Sequence, residues 1–517
     1  MTTIEVLPVP PREIARRAPL RDAAVRPRQP RRSRRGAVLV FLPSALLTLA
    51  LLMSGLGARS MWNDEYATWY ASTLSLGDLA KLLADVDAVV APYYLVMHAW
   101  TALAGDSETM LRLPSAVLMG VAAGLIAVIG RRLFDAGVGL TAGLIFAGLP
   151  SVSRYGQEAR PYAFAIAAAV LAVLLLLRAL ERPTWRRWLL YGCCLTAAAL
   201  LHIVTLTMLP AHLLLVRRAL RDDGDFRVLR WAAAGSLALT GALPLLAKGS
   251  GQTGAISWIR ADGQAVAQFP GRLFGSWQVA AVVVAAALVA AALLWSRQRG
   301  PVTLLLAWAL FPPVFCYLSF PFLHLFLHRY LLFTLPAWAL LAGALGHFLV
   351  RLSHDNRSVG LSLSAMLVAA AVFSVGGPGQ LAARRSPVDG EPDFRSAAAV
   401  LTARMRPGDG IAYAGTGRNG RRAFGYETRR SGLPRDVLVA RTSQEIGEFG
   451  TRECAQPAPC IGTTERIWLV STTGPYQDPL GGMPEATQAY LRTAFTRADF
   501  QSFAGVRLFV LDRRESR

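Results

Sequence analysis

Lysine is almost missing from this sequence. Lys81 and Lys248 are the only lysines among 54 basic residues, and all the others are arginine. The arginines are spread over many loops without a nucleic-acid-binding motif, so the net charge of +21 does not indicate a nucleic-acid partner. No glycine-rich phosphate-binding loop occurs either, which argues against a nucleotide-binding fold.

Charged residues of either sign are also scarce. They make up 17% of the chain, whereas 53% of the residues are hydrophobic. The hydrophobic residues gather in uncharged runs long enough to cross a hydrocarbon core of roughly 30 Å. The sequence therefore predicts a polytopic α-helical membrane protein. The predicted spans are 37–57, 113–130, 136–153, 161–177, two within 188–216, 231–247, 277–295, 302–320, 330–350 and 359–376.

The segment 188–216 is long for one span and short for two, so the flanking charges must decide its count. A hairpin of two short helices that turns near His202 places three later arginine-bearing loops on the same side as those around 131–132 and 182–187, which the positive-inside rule makes cytoplasmic. A single span would invert the three later loops. We therefore predict about eleven spans, with the N-terminus in the cytoplasm and the C-terminus outside.

The chain has three predicted parts. Residues 1–36 form a disordered cytoplasmic tail rich in arginine and proline. A signal peptide is the alternative, but the apolar run that follows is longer than the usual hydrophobic core of such a peptide. Residues 37–376 form the transmembrane domain, in which the outer loop 58–112 holds a short interfacial helix at 91–105. Residues 377–517 form an extracytoplasmic α/β domain.

The predicted C-terminal domain alternates helices and strands but holds no catalytic motif. Its helices are predicted at 393–406 and 484–497, and its strands at 411–414, 436–440, 466–471 and 506–511. Cys454 and Cys460 share a polar loop in it, while the other three cysteines lie in apolar runs. A disulfide is favoured over a zinc site because no further cysteine or histidine lies nearby, and it would place this domain outside the cytoplasm.

Adjacent acids follow the first predicted span. Asp64 and Glu65 cost free energy at a membrane surface unless they stay hydrated, find cations or perform chemistry. The alternative is a pair of solvated loop acids. Glu158 and Arg160 lie in a second short turn on the same predicted side. The alternative is a structural role for both residues. The negative charge of Glu158 would stabilise the positive N-terminal end of the next helix, and the side chain of Arg160 would extend to the membrane interface.

Five short patterns occur in order along the transmembrane domain: Asp64-Glu65, Arg112-Leu113-Pro114-Ser115, Gly130-Arg131-Arg132-Leu133-Phe134, Gln157-Glu158-Ala159-Arg160-Pro161-Tyr162, and Arg329-Tyr330-Leu331-Leu332-Phe333 with Pro336. Together they resemble the polyprenyl-phosphate-dependent branch of the glycosyltransferase-C (GT-C) superfamily. This branch is glycosyltransferase family 39-like and includes protein O-mannosyltransferases and the aminoarabinose transferases of lipid A. The resemblance covers roughly residues 37 to 350.

The resemblance implies transfer of a sugar, with mannose the first candidate, from a polyprenyl phosphate to an acceptor hydroxyl. Asp64 matches the family's catalytic aspartate and would act as the base. Arg160 and Arg329 would stabilise the phosphate, although Arg329 could simply anchor its span. Lys248, Arg260 and Arg272 are further cations on that side. The other residues implied in substrate binding are Glu65, Gln157, Glu158 and Tyr162.

The sequence leaves alternatives for the cofactor, for the acceptor and for the class of activity. Some family members are thought to hold a divalent metal, which His324 and His328 could help to bind. The acceptor could be a glycan, a lipid or a protein. A lipid flippase and an inactive binding protein are the alternatives to an enzyme, but the predicted spans lack the buried charges of a transporter. The predicted location is the plasma (inner) membrane of a bacterium.

Overall fold

The computed structural model describes residues 34–220, 226–352, 357–387, 390–415 and 419–515. Residues 1–33 of the predicted tail lie outside this part of the chain. Up to Ala382 the described chain is helical, as expected for long alanine- and leucine-rich runs that must satisfy their own backbone hydrogen bonds in lipid. The helices are α1 Arg34–Met53, α2 Asn63–Thr73, α3 Leu76–Asp85, α4 Ala91–Ala104, α5 Glu108–Leu133, α6 Ala136–Gly148, α7 Pro150–Gly156, α8 Tyr162–Glu181, α9 Trp185–Leu201, α10 Leu209–Leu220, α11 Phe226–Ser250, α12 Gly263–Phe274, α13 Trp277–Leu294, α14 Arg299–Leu318, α15 Phe320–Leu323, α16 Leu335–Leu352 and α17 Arg357–Ala382.

Fewer helices than predicted have the length and composition of a membrane span. Among the described residues there are seven, or eight if α6 and α7 count as one bent span. The predicted number of about eleven is therefore not reproduced by this criterion. One reason is that α9 has 17 residues and α10 has 12, so neither is a full span by itself.

The helical domain is interrupted at two of the predicted spans. The segment 188–216 is divided as predicted, because α9 ends at Leu201 and His202 is extended before the chain turns into α10. The predicted span 136–153 is not one straight helix. Its two halves, α6 and α7, meet at Pro150 at an angle of 67°, because proline lacks the N–H that would continue the helix.

The predicted loop 58–112 is folded into α2, α3 and α4. Helix α4, Ala91–Ala104, is the short apolar helix expected at 91–105. Helix α3 begins after Ser75, whose side chain accepts a hydrogen bond from the backbone of Asp78. Helix α2 begins after Trp62, which supplies no side-chain cap. The acidic pair therefore lies in the first turn of a helix and not in a loop.

The C-terminal part contains a five-stranded mixed sheet of order β2-β1-β5-β7-β6 and a two-stranded ribbon of β3 and β4. Strand β1 pairs in parallel with β2 and β5, whereas β7 is antiparallel to β5 and β6. The elements are α18 Phe394–Arg404, β1 Gly410–Ala414, α19 Asn419–Glu427, β2 Arg435–Asp436, β3 Val439–Arg441, α20 Ser443–Ile446, β4 Arg452–Glu453, α21 Pro457–Ile461, β5 Arg466–Ser471, α22 Glu485–Ala494, β6 Phe495–Phe503 and β7 Val506–Arg513.

The predicted α/β character of this part is confirmed, with two corrections. The helix predicted at 484–497 ends at Ala494, because Phe495 starts β6 and pairs with Arg513. The strand predicted at 436–440 is two strands, since β2 joins the large sheet and β3 joins the ribbon. Cys454 and Cys460 form the predicted disulfide.

The C-terminal sheet region packs against α2. The ring of Tyr66 contacts Phe394 and Tyr426 at centroid distances of 6.1 and 5.9 Å. Its hydroxyl donates to Glu427 at 2.8 Å. Because Tyr66 is fully buried by these contacts, the helix that carries the acidic pair is held from the side of the C-terminal region.

Candidate active site

Asp64 lies in the first turn of α2 between two arginines. Its side chain is 30% exposed, and its Oδ2 lies 3.7 Å from Nη2 of Arg160 and 3.7 Å from Nη2 of Arg329. Nη1 of Arg160 also donates to the backbone carbonyl of Asp64 at 3.3 Å. Three distant stretches of the chain thus bring one accessible carboxylate and two guanidinium groups together.

The neighbouring acid, Glu65, is enclosed. Nε and Nη2 of Arg112 donate to its two oxygens at 2.8 Å each, and the backbone of Ala159 donates to Oε1 at 2.9 Å. Burial by itself raises the pKa of Glu65, but the charges of Arg112 and Arg59 outweigh burial and lower it. Successive helical residues point about 100° apart, which explains how adjacent acids face different surroundings.

Gln157 and Glu158 follow α7 and are also buried. The amide of Gln157 donates to the carbonyls of Leu52 and Ser54 at 2.7 and 3.0 Å, so it fastens the turn to the end of α1. The carboxylate of Glu158 lies 3.2 Å from Arg154 and 3.7 Å from Arg59. Burial raises the pKa of Glu158 although both arginines oppose that shift.

Tyr162 and Arg329 approach the site from α8 and from the turn before α16. Tyr162 is 3% exposed and packs edge-on against Tyr155 with ring centroids 5.4 Å apart. The guanidinium of Arg329 lies over the rings of Trp62 and Trp258 at 5.4 and 5.3 Å. These aromatic faces fix the direction of Arg329 toward Asp64.

A cavity of about 500 Å³ is lined by neighbours of Asp64, although Asp64 itself is not one of its lining residues. Its wall includes Trp62 and Arg329, which link it to the acid, and it carries a large excess of positive charge. A second cavity of about 250 Å³ shares Arg272 and His328 with the first and also includes Arg260. Of the charged residues, the first cavity is lined by Arg59, Arg154, Arg272, Arg329 and Glu391.

The two histidines considered for a metal do not form a ligand set with the acids. His328 Nε2 lies 3.0 Å from the hydroxyl of Tyr155, and His324 packs on Phe320 with ring centroids 4.8 Å apart. Within the described residues, no three His, Cys, Asp or Glu side chains come together as a metal-binding group. The described residues therefore do not provide a ligand set for a protein-held metal.

The sequence patterns brought out Asp64, Arg160 and Arg329, which the structure places together. They did not bring out Arg59, Arg154 or Glu391, which line the cavity. Arg59 and Arg154 could have been noticed because they lie on the predicted outer side, where the positive-inside rule does not explain an arginine. Lys248 is not among the residues that line either cavity.

Comparison with known proteins agrees with this architecture. Residues 89–246 match a family described as dolichyl-phosphate-mannose-protein mannosyltransferase. No curated protein sequence matches the chain.

Among solved structures, ArnT from Cupriavidus metallidurans has a similar fold. Its apo structure has 14% sequence identity and a TM-score of 0.60, and the match covers 92% of this chain and 98% of that chain. The same protein bound to undecaprenyl phosphate has 14% identity, a TM-score of 0.59 and the same coverage. The chain therefore shares the fold of this membrane protein over most of its length, and its residues 89–246 resemble the matched mannosyltransferase family.

Proposed function

We propose that the protein transfers a sugar, with mannose the first candidate, from a polyprenyl phosphate to an acceptor hydroxyl. The observation that carries this proposal is the accessible carboxylate of Asp64, which pairs with Arg329 in the wall of an arginine-lined cavity. The description of the matched family names dolichyl-phosphate-mannose, and one of the similar ArnT structures is bound to undecaprenyl phosphate. Both support a lipid-phosphate donor.

In this mechanism Asp64 accepts the proton of the acceptor hydroxyl while that oxygen attacks the anomeric carbon of the sugar. The bond between the anomeric carbon and the phosphate oxygen breaks, and its electron pair leaves on the polyprenyl phosphate. The leaving group is a phosphate, so no second carboxylic acid is required to protonate it. One accessible carboxylate is therefore sufficient.

The arginines of the cavity stabilise the charge that the phosphate gains. Guanidinium groups bind phosphate oxygens in a planar, bidentate geometry, and a preorganised cation lowers the barrier most where the cavity excludes water. We assign this role to Arg329 first, because it contacts Asp64 and lines the cavity. Arg154 and Arg272 line the same space and are assigned to the remaining phosphate oxygens.

The buried residues have a different proposed role. Glu65, Gln157 and Glu158 were expected to bind substrate, but each is at most 3% exposed. Glu65 is saturated by Arg112 and Ala159, and Gln157 by the end of α1. We propose that these residues hold the loops of the site together. Tyr162 is assigned to the same support because only 3% of it is exposed.

The test is Asp64→Asn, assayed with purified protein and a panel of polyprenyl-phosphate sugars that begins with mannose. Removing a general base is expected to lower turnover by about 10²- to 10⁴-fold. Asp78→Asn is a matched control, since the side chain of Asp78 is also 30% exposed and pairs with Lys81 outside the site. Its turnover should equal that of the unmodified protein.

Two outcomes would contradict the proposal. Unchanged transfer by the Asp64→Asn protein would remove this residue as the base. No turnover with any donor in the panel, combined with movement of the labelled lipid across vesicle bilayers, would favour the flippase.

A further inference from the structure

The helix that carries Asp64 receives part of its N-terminal hydrogen bonding from the C-terminal region. Trp62, which precedes α2, provides no side-chain cap. Instead, the side-chain amide of Asn63 donates to Oε2 of Glu391 at 3.3 Å. The backbone N–H of Asn63 also acts to lower the pKa of this carboxylate. A negative charge at this position is favourable because the first turn of a helix exposes unpaired N–H groups and a positive dipole end.

Two more contacts fix the chain immediately before α2. Nη1 of Arg59 donates to the carbonyl of Ala383 at 3.1 Å. The backbone N–H of Ser60 donates to the hydroxyl of Ser386 at 3.1 Å. The chain that leaves α17 therefore touches Arg59 and Ser60, just before the residue that Glu391 contacts.

Glu391 also faces the reaction space. It is the only carboxylate among the described residues that line the 500 Å³ cavity, where the other charged groups are arginines. An anion in this position does not suit a phosphate ligand. It does suit the N-terminal end of α2, where Asn63 contacts Glu391 and is followed by Asp64.

We propose that Glu391 is a positioning residue, which caps α2 from the C-terminal region and thereby holds Asp64 toward the cavity. The inference rests on the proposed function, in which Asp64 is the base. It makes the C-terminal region part of the active site and not a separate binding module.

The protonation of Glu391 gives this role a pH signature. Burial raises the pKa of Glu391, and the negative charge of Asp64 raises it further, while Arg154 lowers it and Glu158 raises it. The capping charge is therefore lost as the pH falls through this raised value, above the range of an ordinary glutamate. Turnover should decline in the same interval.

The kinetic test compares Glu391→Ala and Glu391→Gln in the full-length protein, with the donor that the panel selects and water as acceptor. The Ala variant should lose about tenfold in turnover, because a small displacement of a catalytic group is costly, while the KM for the donor stays within about twofold. The Gln variant keeps an acceptor for Asn63 but not the charge. Its turnover should be intermediate and should lack the acid decline attributed to Glu391 between about pH 8 and pH 4.5.

Glu465→Gln is the matched control, because Glu465 is 76% exposed on the same region and pairs with Arg513. It should keep the turnover and pH profile of the unmodified protein. Wild-type turnover in Glu391→Ala, a change confined to the donor KM, or an unaltered pH profile in Glu391→Gln would each overturn the inference.

A second measurement does not depend on transfer activity. In an Asp64→Cys protein whose three free cysteines have been replaced, mass spectrometry follows alkylation of residue 64 by N-ethylmaleimide. Glu391→Ala should change this rate at least about threefold, since the first turn of α2 is released, and Glu465→Gln should not. An unchanged rate overturns the positioning role even if no donor is turned over, so this failure is distinct from failure of the proposed function.

Discussion

Arg112 stabilises the buried carboxylate of Glu65 by donating to both of its oxygens. Both side chains are 0% exposed, and Arg112 also donates to the carbonyls of Leu56, Arg59 and Ser60 at 2.9 to 3.2 Å. Removing one member of such a pair leaves an uncompensated buried charge, which costs far more than the intact pair contributes.

We therefore expect Arg112→Ala to destabilise the protein by about 3–5 kcal/mol. The measurement is the thermal midpoint of the detergent-purified protein. Lys81→Ala is the control, because Lys81 is 62% exposed and an exposed ion pair contributes little. Equal midpoints for the two variants would contradict a structural role for Arg112.

The contribution of Glu158 to folding stability should change with pH in the opposite direction from that of Glu65. Burial raises the pKa of Glu158, so the folded state binds this proton more tightly than the unfolded state does. Its contribution to stability is full below the ordinary glutamate pKa of about 4.3 and is lost as the pH rises through the raised value. Glu65, whose pKa is lowered, instead loses its contribution as the pH falls.

The thermal midpoint between about pH 4.5 and pH 8 tests the Glu158 effect. Glu158→Gln, which cannot ionise, should reduce the decline of the midpoint with rising pH. Asp78→Asn, whose parent side chain pairs with the exposed Lys81, serves as control and should keep the decline. The same slope in Glu158→Gln as in the unmodified protein would show that this group titrates normally.

At the scale of elements, the bend between α6 and α7 shapes one wall of the cavity. Gly275 ends α12 with a φ of +80°, and an added Cβ would lie 2.6 Å from the backbone nitrogen of Ser151 and 2.9 Å from Pro150. The tight approach of α12 to the bend therefore requires glycine for its backbone angle and for its space.

Gly275→Ala should consequently destabilise the protein by about 1–3 kcal/mol and lower transfer activity, because Gly275 and Pro150 both line the cavity. Thermal midpoint and turnover are measured together. Gly263→Ala is the control at the other end of α12, where an added Cβ meets nothing within 4 Å. A neutral Gly275→Ala substitution would show that the α12 junction is not constrained.

Hydrophobic runs were enough to predict most helices, since a long uncharged segment has few alternatives in a membrane. Strand β6 was missed for a physical reason. Its residues are mostly exposed or half-buried, so the sequence shows no apolar alternation, and the strand exists because it pairs along β7. The inward direction of Glu65 was equally hidden, because α2 has too weak an apolar face to reveal its orientation.

Long-range contacts explain what the sequence could not indicate about the site. Asp64, Arg160 and Arg329 belong to recognisable patterns, whereas Glu391 lies in a different predicted domain. Its contact with Asn63 depends on how the C-terminal region docks, and docking depends on packing of Tyr66, Phe394 and Tyr426. No local pattern contains that information.

At the scale of the whole molecule, arginines from several helix ends lie at one end of the helical domain. Arg131 packs against Gly36 at the start of α1, and Arg218 packs against Gly300 at the start of α14. Arg132 pairs with Glu181 at 2.7 Å. Asp64 and its cavity lie beyond the opposite end of α1, so the positive-inside rule predicts an active site outside the cytoplasm.

Reporter fusions test this orientation. A fluorescent protein fused to the N-terminus should fluoresce, and alkaline phosphatase fused after residue 515 should be active, because it folds only in an oxidising compartment outside the cytoplasm. A phosphatase fusion after Gln298, between α13 and α14, should be inactive, since Arg297 and Arg299 lie in a predicted cytoplasmic loop. The opposite activities in the two phosphatase fusions would invert the predicted topology, and the donor would then have to be presented at the cytoplasmic face.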